Sequence, residues 1–262
     1  MKYLLSLLLC LPVSVFAAPK ADLWLFWTAS NQENRQKIAH DAWQQLLDRY
    51  LSRNGEYTLF NYAAVSQTDQ HKLSRYLSSL AAIDPRTLNR SEQYAYWINL
   101  YNAQTVQLIL QHYPLDSITQ LGGLFSFGPW DDKVLTIAGQ TLTLNDIEHR
   151  ILRPIWLEPR THYALNCASL GCPNLQPQAF TADNLDQLLD SAAQEFINSE
   201  KGAHMQDEKL VLSSIYDWYQ VDFGSRQQLI QHLATYRADL SGFRGNIRYQ
   251  YNWALNEAGA GI

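Results

Sequence analysis

The chain has 262 residues, 47% of them hydrophobic and 12% aromatic, and a formal net charge of -5. That length and apolar content suit one packed core rather than a disordered chain, and an acidic balance without a basic stripe argues against a nucleic-acid partner. Beyond the first residues no run approaches the about 20 apolar residues that a membrane helix requires, so the protein is expected not to be membrane-embedded.

Residues 1–17 divide into a basic start at Lys2, an apolar run from Tyr3 to Leu11 and a small-residue exit at Val15-Phe16-Ala17. This is the layout of a secretory signal peptide, and it predicts a periplasmic or secreted protein whose mature chain begins near Ala18. Cys10 follows leucines and lacks the small residue that a lipoprotein processing site places before its cysteine. The remainder, 18–262, holds no linker, charge block or repeat and reads as a single domain with a helical N-terminal part.

In chain order, Asn31 to Arg53 reads as an amphipathic helix with Ile38, Ala42, Leu46 and Leu47 on one face, ended by Asn54-Gly55. Glu56 to Tyr62 reads as extended, and Asp69 to Ala82 as a second helix broken by Asp84-Pro85. Ser91 to His112, capped by Ser91, is apolar nearly all round and is therefore expected to be buried. Glu92, Asn99 and Asn102 form a polar seam on that helix, because steps of seven and three residues return to about the same side. A buried seam must find partners, either backbone groups of neighbouring loops or a reacting group.

Leu121 to Trp130, rich in glycine and aromatics, reads as a shaped loop. It lacks the lysine and hydroxyl residue of a phosphate loop. Lys133 to Ile137 and Thr141 to Leu144 read as a hairpin, and Asp146 to Arg153 as a helix stopped by Pro154. Thr161 to Cys167 alternates like a strand, with His162, Ala164 and Asn166 on one side. A helix from Ala182 to Ile197 capped by Thr181, a strand from Lys209 to Leu212, helical segments at Ser213 to Tyr219 and Gln227 to Tyr236, and a strand from Asn246 to Leu255 complete the chain. The class is α+β, a helix-rich N-terminal half packed on a small antiparallel sheet.

His162-Tyr163-Ala164-Leu165-Asn166-Cys167-Ala168-Ser169-Leu170-Gly171-Cys172-Pro173 holds two of the three cysteines. With Cys10 cleaved off, a Cys167–Cys172 disulfide is allowed in an oxidising compartment. A free thiol there would need a base, and both His149 and His162 are candidates. Glu92, Asn99 and Asn102 are the first choices to orient that imidazole, with Glu148 second. No cofactor is called for, and Cys167, Cys172 and His162 lack the compact ligand pattern of a structural zinc site.

Glu92-Gln93-Tyr94-Ala95-Tyr96-Trp97-Ile98-Asn99-Leu100-Tyr101-Asn102-Ala103, Leu144-Asn145-Asp146-Ile147-Glu148-His149 and the His162 to Pro173 block resemble successive signatures of the DUF547 domain family. Leu212-Ser213-Ser214-Ile215-Tyr216-Asp217-Trp218-Tyr219, Asp222-Phe223 and Tyr251-Asn252-Trp253-Ala254-Leu255-Asn256 are similar to its C-terminal part. The resemblance covers about residues 50 to 257. It implies a papain-like, cysteine-protease-related core with Cys167 as nucleophile and a histidine partner, with His149, Glu92, Asn99 and Asn102 as site candidates and His162 in reserve. The activity expected is an exported cysteine-dependent hydrolase or acyltransferase acting on an amide or ester of a small molecule or peptide. The alternative is a non-catalytic periplasmic binding or assembly protein with Cys167 and Cys172 bridged.

Overall fold

A computed structural model describes residues 20–123 and 128–259. The expected leader with Cys10, and residues 124–127 of the glycine-aromatic loop, lie outside the described residues. Helices α1 (Asp41–Tyr50), α2 (Gln67–Ala81) and α3 (Arg90–His112) build the first half, interrupted by the hairpin β1 (Leu51–Asn54) and β2 (Tyr57–Phe60). A second hairpin, β3 (Leu135–Ile137) and β4 (Gln140–Leu142), precedes a π-helix at Asp146–Leu152 that runs into α4 (Arg153–Trp156) and then α5 (Thr161–Ala164). The C-terminal third comprises α6 (Leu185–Ile197), β5 (Ala203–Gln206), β6 (Lys209–Ser213), α7 (Ile215–Trp218), α8 (Gln220–Phe223), α9 (Arg226–Tyr236) and β7 (Ile247–Gln250).

The class is α+β, but the strands do not form one antiparallel sheet. They make two isolated hairpins and a three-stranded sheet of order β5-β6-β7, in which β6 and β7 run parallel. The main core is centred on α3, whose Tyr96, Trp97, Ile98, Leu100 and Ile109 are wholly buried. A second cluster joins β5 and β6 to α6 and α9 around Tyr163, Phe196 and Tyr216.

The ends of α1, α3 and α6 depart from the sequence reading. The first helix begins ten residues late, because the side chains of Asn31 and Asn34 accept the amides of Glu33 and Gln36 and hold local turns that compete with helix. It also ends early, where Leu51 pairs with Phe60 in the hairpin. Helix α3 is capped by Asn89, whose side chain accepts from Glu92 N, one position outside α3 and two before the expected Ser91. Helix α6 starts three residues after Ala182, since Thr181 Oγ1 accepts Asn184 N in a turn ahead of it.

Pro154 does not stop its helix. The chain widens into the π-helix, continues through Pro154 in the first turn of α4, where no proline N–H is needed, and ends at left-handed Leu157. The largest correction is the strand expected over Thr161 to Cys167. Thr161–Ala164 is a helical turn built on Glu158, Pro159 and Arg160 carbonyls, and all four of its residues are buried. Alternation marks a strand only when one face meets solvent, and here neither does. The last strand is correspondingly short, and 251–256 instead runs beside the cysteine loop.

Candidate active site

Cys167 follows α5 in a loop fixed from three sides. Asn102 on α3 donates to Ala164 O at 2.9 Å and accepts from Asn166 N at 2.8 Å, so it pins the residues either side of Leu165. Asn166 in turn accepts from Ala168 N at 2.9 Å and donates to Pro173 O at 2.8 Å, closing the loop on itself. Ala168 is left-handed at φ 59°, a conformation that costs a residue with a Cβ about 1–2 kcal/mol. Strain of that kind is held only where the surroundings over-determine it.

The third side is the C-terminal segment. Leu170 N donates to Ala254 O and Gly171 N to Asn252 O, both at 2.8 Å, and Asn256 N returns to Ala168 O at 3.2 Å. Gly171 is required there, since a Cβ would lie 2.7 Å from Asn252 N and 2.9 Å from its carbonyl oxygen. This pairing brings Tyr251 over the thiol. Cys167 Sγ lies 3.0 Å from Tyr251 OH and 3.2 Å from Ser169 Oγ, and the two hydroxyls are 2.9 Å apart.

Cys167 and Cys172 are both free; Cys167 is half-buried and Cys172 is buried. The amide of Cys167 donates to Cys172 Sγ at 2.9 Å. Burial pushes the Cys167 thiol up, but hydrogen bonds from Cys172, Ser169 and Tyr251 outweigh it and bring the thiol below its ordinary value. Burial, reinforced by Cys167, carries Cys172 the other way. Lys201 donates to Cys172 O and Asn174 Oδ1, each at 2.7 Å, and burial lowers its ammonium to about 8.

The π-helix, α4, α5 and α8 supply a cluster of ionisable groups, buried except for half-buried Asp222. Glu148 accepts from Tyr101 OH at 3.1 Å and hydrogen-bonds Tyr219. Burial pushes its carboxyl up, yet His149, His162 and Arg153 hold it below the usual carboxylate range. The Glu148 charge pushes the Cys167 thiol up, against the hydrogen bonds from Cys172, Ser169 and Tyr251. His162 Nε2 lies 2.7 Å from Asp222 Oδ2, which also accepts from Arg153 Nε at 2.6 Å. Burial raises Asp222, but His162 and Arg153 outweigh it and bring the carboxyl down to about 2. The His162 ring stacks on Tyr219 at 4.2 Å, with the Arg153 guanidinium 4.9 Å from the same ring.

Hydrogen-bond direction fixes what each imidazole offers. Arginine only donates, so the 2.9 Å contact from Arg153 Nη1 makes His149 Nδ1 an acceptor and places the proton of neutral His149 on Nε2. Burial lowers the His149 pKa, with Glu148 opposing, and so favours that neutral form. A carboxylate only accepts, so His162 Nε2 donates to Asp222 and neutral His162 keeps its lone pair on Nδ1.

Of the residues singled out in the sequence, Cys167, Asn102, His149 and His162 fall around this loop and cluster. Glu92 and Asn99 serve other segments of α3's surroundings: Glu92 Oε1 accepts Ile38 N at 2.6 Å, and Asn99 brackets Phe180 through its N–H and its carbonyl. Tyr251, Tyr219, Tyr101, Arg153 and Asp222 were not singled out. Tyr101, Tyr219, Tyr251 and Asp222 lie within the blocks that carried the resemblance, but no local spacing marks a residue whose partner is 47 to 84 positions away. Among the described residues no cluster of three His, Cys, Asp or Glu side chains is arranged to hold a metal ion, and no helix is long and apolar enough to cross a membrane.

Residues 85–197 match the model of a family described as "Protein of unknown function, DUF547". That span includes α3, the π-helix and the cysteine loop. No curated protein matches the chain. No solved structure matches it either, so the papain-like core rests on the resemblance alone.

Proposed function

From a chain whose 85–197 segment carries the DUF547 match, we propose an exported cysteine-dependent hydrolase or acyltransferase acting on an amide or ester, with Cys167 as nucleophile. The observation that carries the reading is a half-buried free thiol beside left-handed Ala168, brought below its ordinary pKa by hydrogen bonds from Cys172, Ser169 and Tyr251, in a chain that also holds a Glu148–His149–Arg153–His162–Asp222 cluster. Thiolates at such positions are the nucleophiles of acyl transfer. The Cys167 sulfur attacks the carbonyl carbon and the leaving amine or alcohol takes a proton, giving an acyl-enzyme that water or a second acceptor resolves.

The tautomers divide the proton work. His162, oriented by Asp222, has the nitrogen that accepts a proton, and His149, held by Arg153, has the N–H that donates one. Among the described residues no hydrogen bond links either ring to Cys167 Sγ, whose partners are Cys172, Tyr251 and Ser169. Catalytic hydrogen bonds of this kind commonly tighten only when substrate is bound. A cell-wall peptide or another periplasmic amide fits the proposed compartment.

The test is a pH series of iodoacetamide labelling read separately at Cys167 and Cys172, alongside turnover of p-nitrophenyl ester and peptide-amide panels. Cys167 is expected to label well below the ordinary thiol range of about 8.5 while Cys172 resists, and Cys167→Ala to abolish turnover with the far-UV spectrum preserved. Normal turnover by Cys167→Ala would end the nucleophile assignment.

A further inference from the structure

The six residues from Cys167 to Cys172 fold back through left-handed Ala168, and Ser169 O accepts Cys172 N at 3.2 Å, so the chain brings the second sulfur under the amide of the first. The pair is asymmetric. Cys167 is half-buried, while Cys172 is 4% exposed and held within 3.7 Å of Leu165 O. One thiol is placed to meet an oxidant and the other to meet only its neighbour. We propose that Cys167 and Cys172 form a reversible disulfide driven by a peroxide, Cys167 being the oxidised thiol and Cys172 the resolving one. Its role as a switch rests on the hydrolase reading above; the pairing itself does not.

The chemistry closes in two steps. The Cys167 thiolate attacks one peroxide oxygen, the O–O bond breaks, and hydroxide leaves, converting the thiolate to a sulfenic acid while the peroxide is reduced. Cys172 sulfur then attacks Cys167 Sγ, the S–O bond breaks, and water departs carrying the Cys172 proton. Two electrons have passed from the thiol pair to the peroxide, and a dithiol reductant returns them by exchange. The geometry assists the second step: the Cys167 amide already donates to Cys172 Sγ and so stabilises negative charge on the attacking sulfur. To form the S–S bond Cys167 Sγ gives up its contacts to the hydroxyls of Ser169 and Tyr251. The product protects the nucleophile, because a resolved sulfenic acid cannot advance to the irreversible acids.

The experiment treats the reduced full chain with equimolar hydrogen peroxide, blocks residual thiols with iodoacetamide and maps the peptides by mass. The expected result is a Cys167–Cys172 link with loss of two hydrogens, reversed by dithiothreitol, and a dimedone adduct on Cys167 that accumulates in Cys172→Ser but not in the wild type. Wild-type Cys167 passing to sulfinic acid beside an alkylated Cys172, or both thiols surviving, would overturn the proposal without reliance on any variant's folding. Ester turnover of the reduced protein is scored separately. If the disulfide forms and no ester or amide is turned over, the hydrolase reading fails and the redox pair stands.

Discussion

At the scale of single residues, the site is governed by hydrogen-bond direction more than by proximity. Asp222 decides which His162 nitrogen keeps its lone pair, so Asp222→Asn, which would offer an amide in place of a fixed acceptor, is expected to lower kcat/KM about 100-fold or more with the fold intact. An unchanged pH-rate profile in that variant would remove His162 from the proton path. His40 gives a second expectation, for stability. Its Nδ1 lies 2.7 Å from Tyr76 OH, its Nε2 is buried without a partner, and burial, opposed by Asp41, pushes its pKa down to about 4. The unfolded chain titrates near 6.5, so below that pH it binds a proton that the folded chain refuses. This contribution is therefore complete above about pH 6.5 and is lost as the pH falls towards 4, up to about 3 kcal/mol. Urea midpoints should fall more steeply with acid in the wild type than in His40→Gln.

At the scale of elements, the polar seam of α3 is a set of clamps, each taking a different neighbouring segment. Glu92 holds Ile38, Asn99 holds Phe180, and Asn102 holds both Ala164 and Asn166. The seam's existence was legible, because an apolar helix that carries three polar groups on one side must satisfy them. Which clamp serves the site was not, since Asn99 and Asn102 differ only in what packs opposite. Replacing either by alanine strands buried backbone groups and should cost about 2–4 kcal/mol. The two should part in labelling kinetics: Asn102→Ala is expected to slow Cys167 alkylation several-fold relative to Asn99→Ala, and equal rates would mean that Asn102 does not position the thiol. The hairpin over 133–144 and the helices within 69–82 and 226–236 were also legible, their periodicity meeting solvent on one side, and α3 by its unbroken apolar run. The Thr161–Ala164 turn was not, being buried all round.

At the scale of the whole molecule, the N-terminal segment is part of the site's support. Pro154 has no N–H to give the carbonyls of Arg150, four residues back, or His149, five back. Those carbonyls instead accept Trp24 N and Asp22 N, each at 3.0 Å. Three residues on, Trp27 is fully buried, with its ring edge-on to Trp97 of α3 at 5.2 Å. Trp27→Ala is expected to cost about 3–5 kcal/mol in urea unfolding. Trp27→Phe should cost clearly less, because the indole N–H it removes has no partner. A Phe variant as unstable as the Ala variant would show that shape alone holds this contact.

The sequence by itself determined the α+β class, the burial of the 90–112 helix and the need of its polar seam for partners. Each follows from composition or from a period that a single element displays. Only the tertiary structure decided that Glu92 and Asn99 hold segments away from the loop, that Asp222 and Arg153 set the two imidazole tautomers, and that Tyr251 caps the thiol. Apart from the Arg153–His149 contact, those outcomes depend on pairs 54 to 84 residues apart, and long-range pairing is set by how helices and sheets close a common core, a constraint that no window of sequence contains.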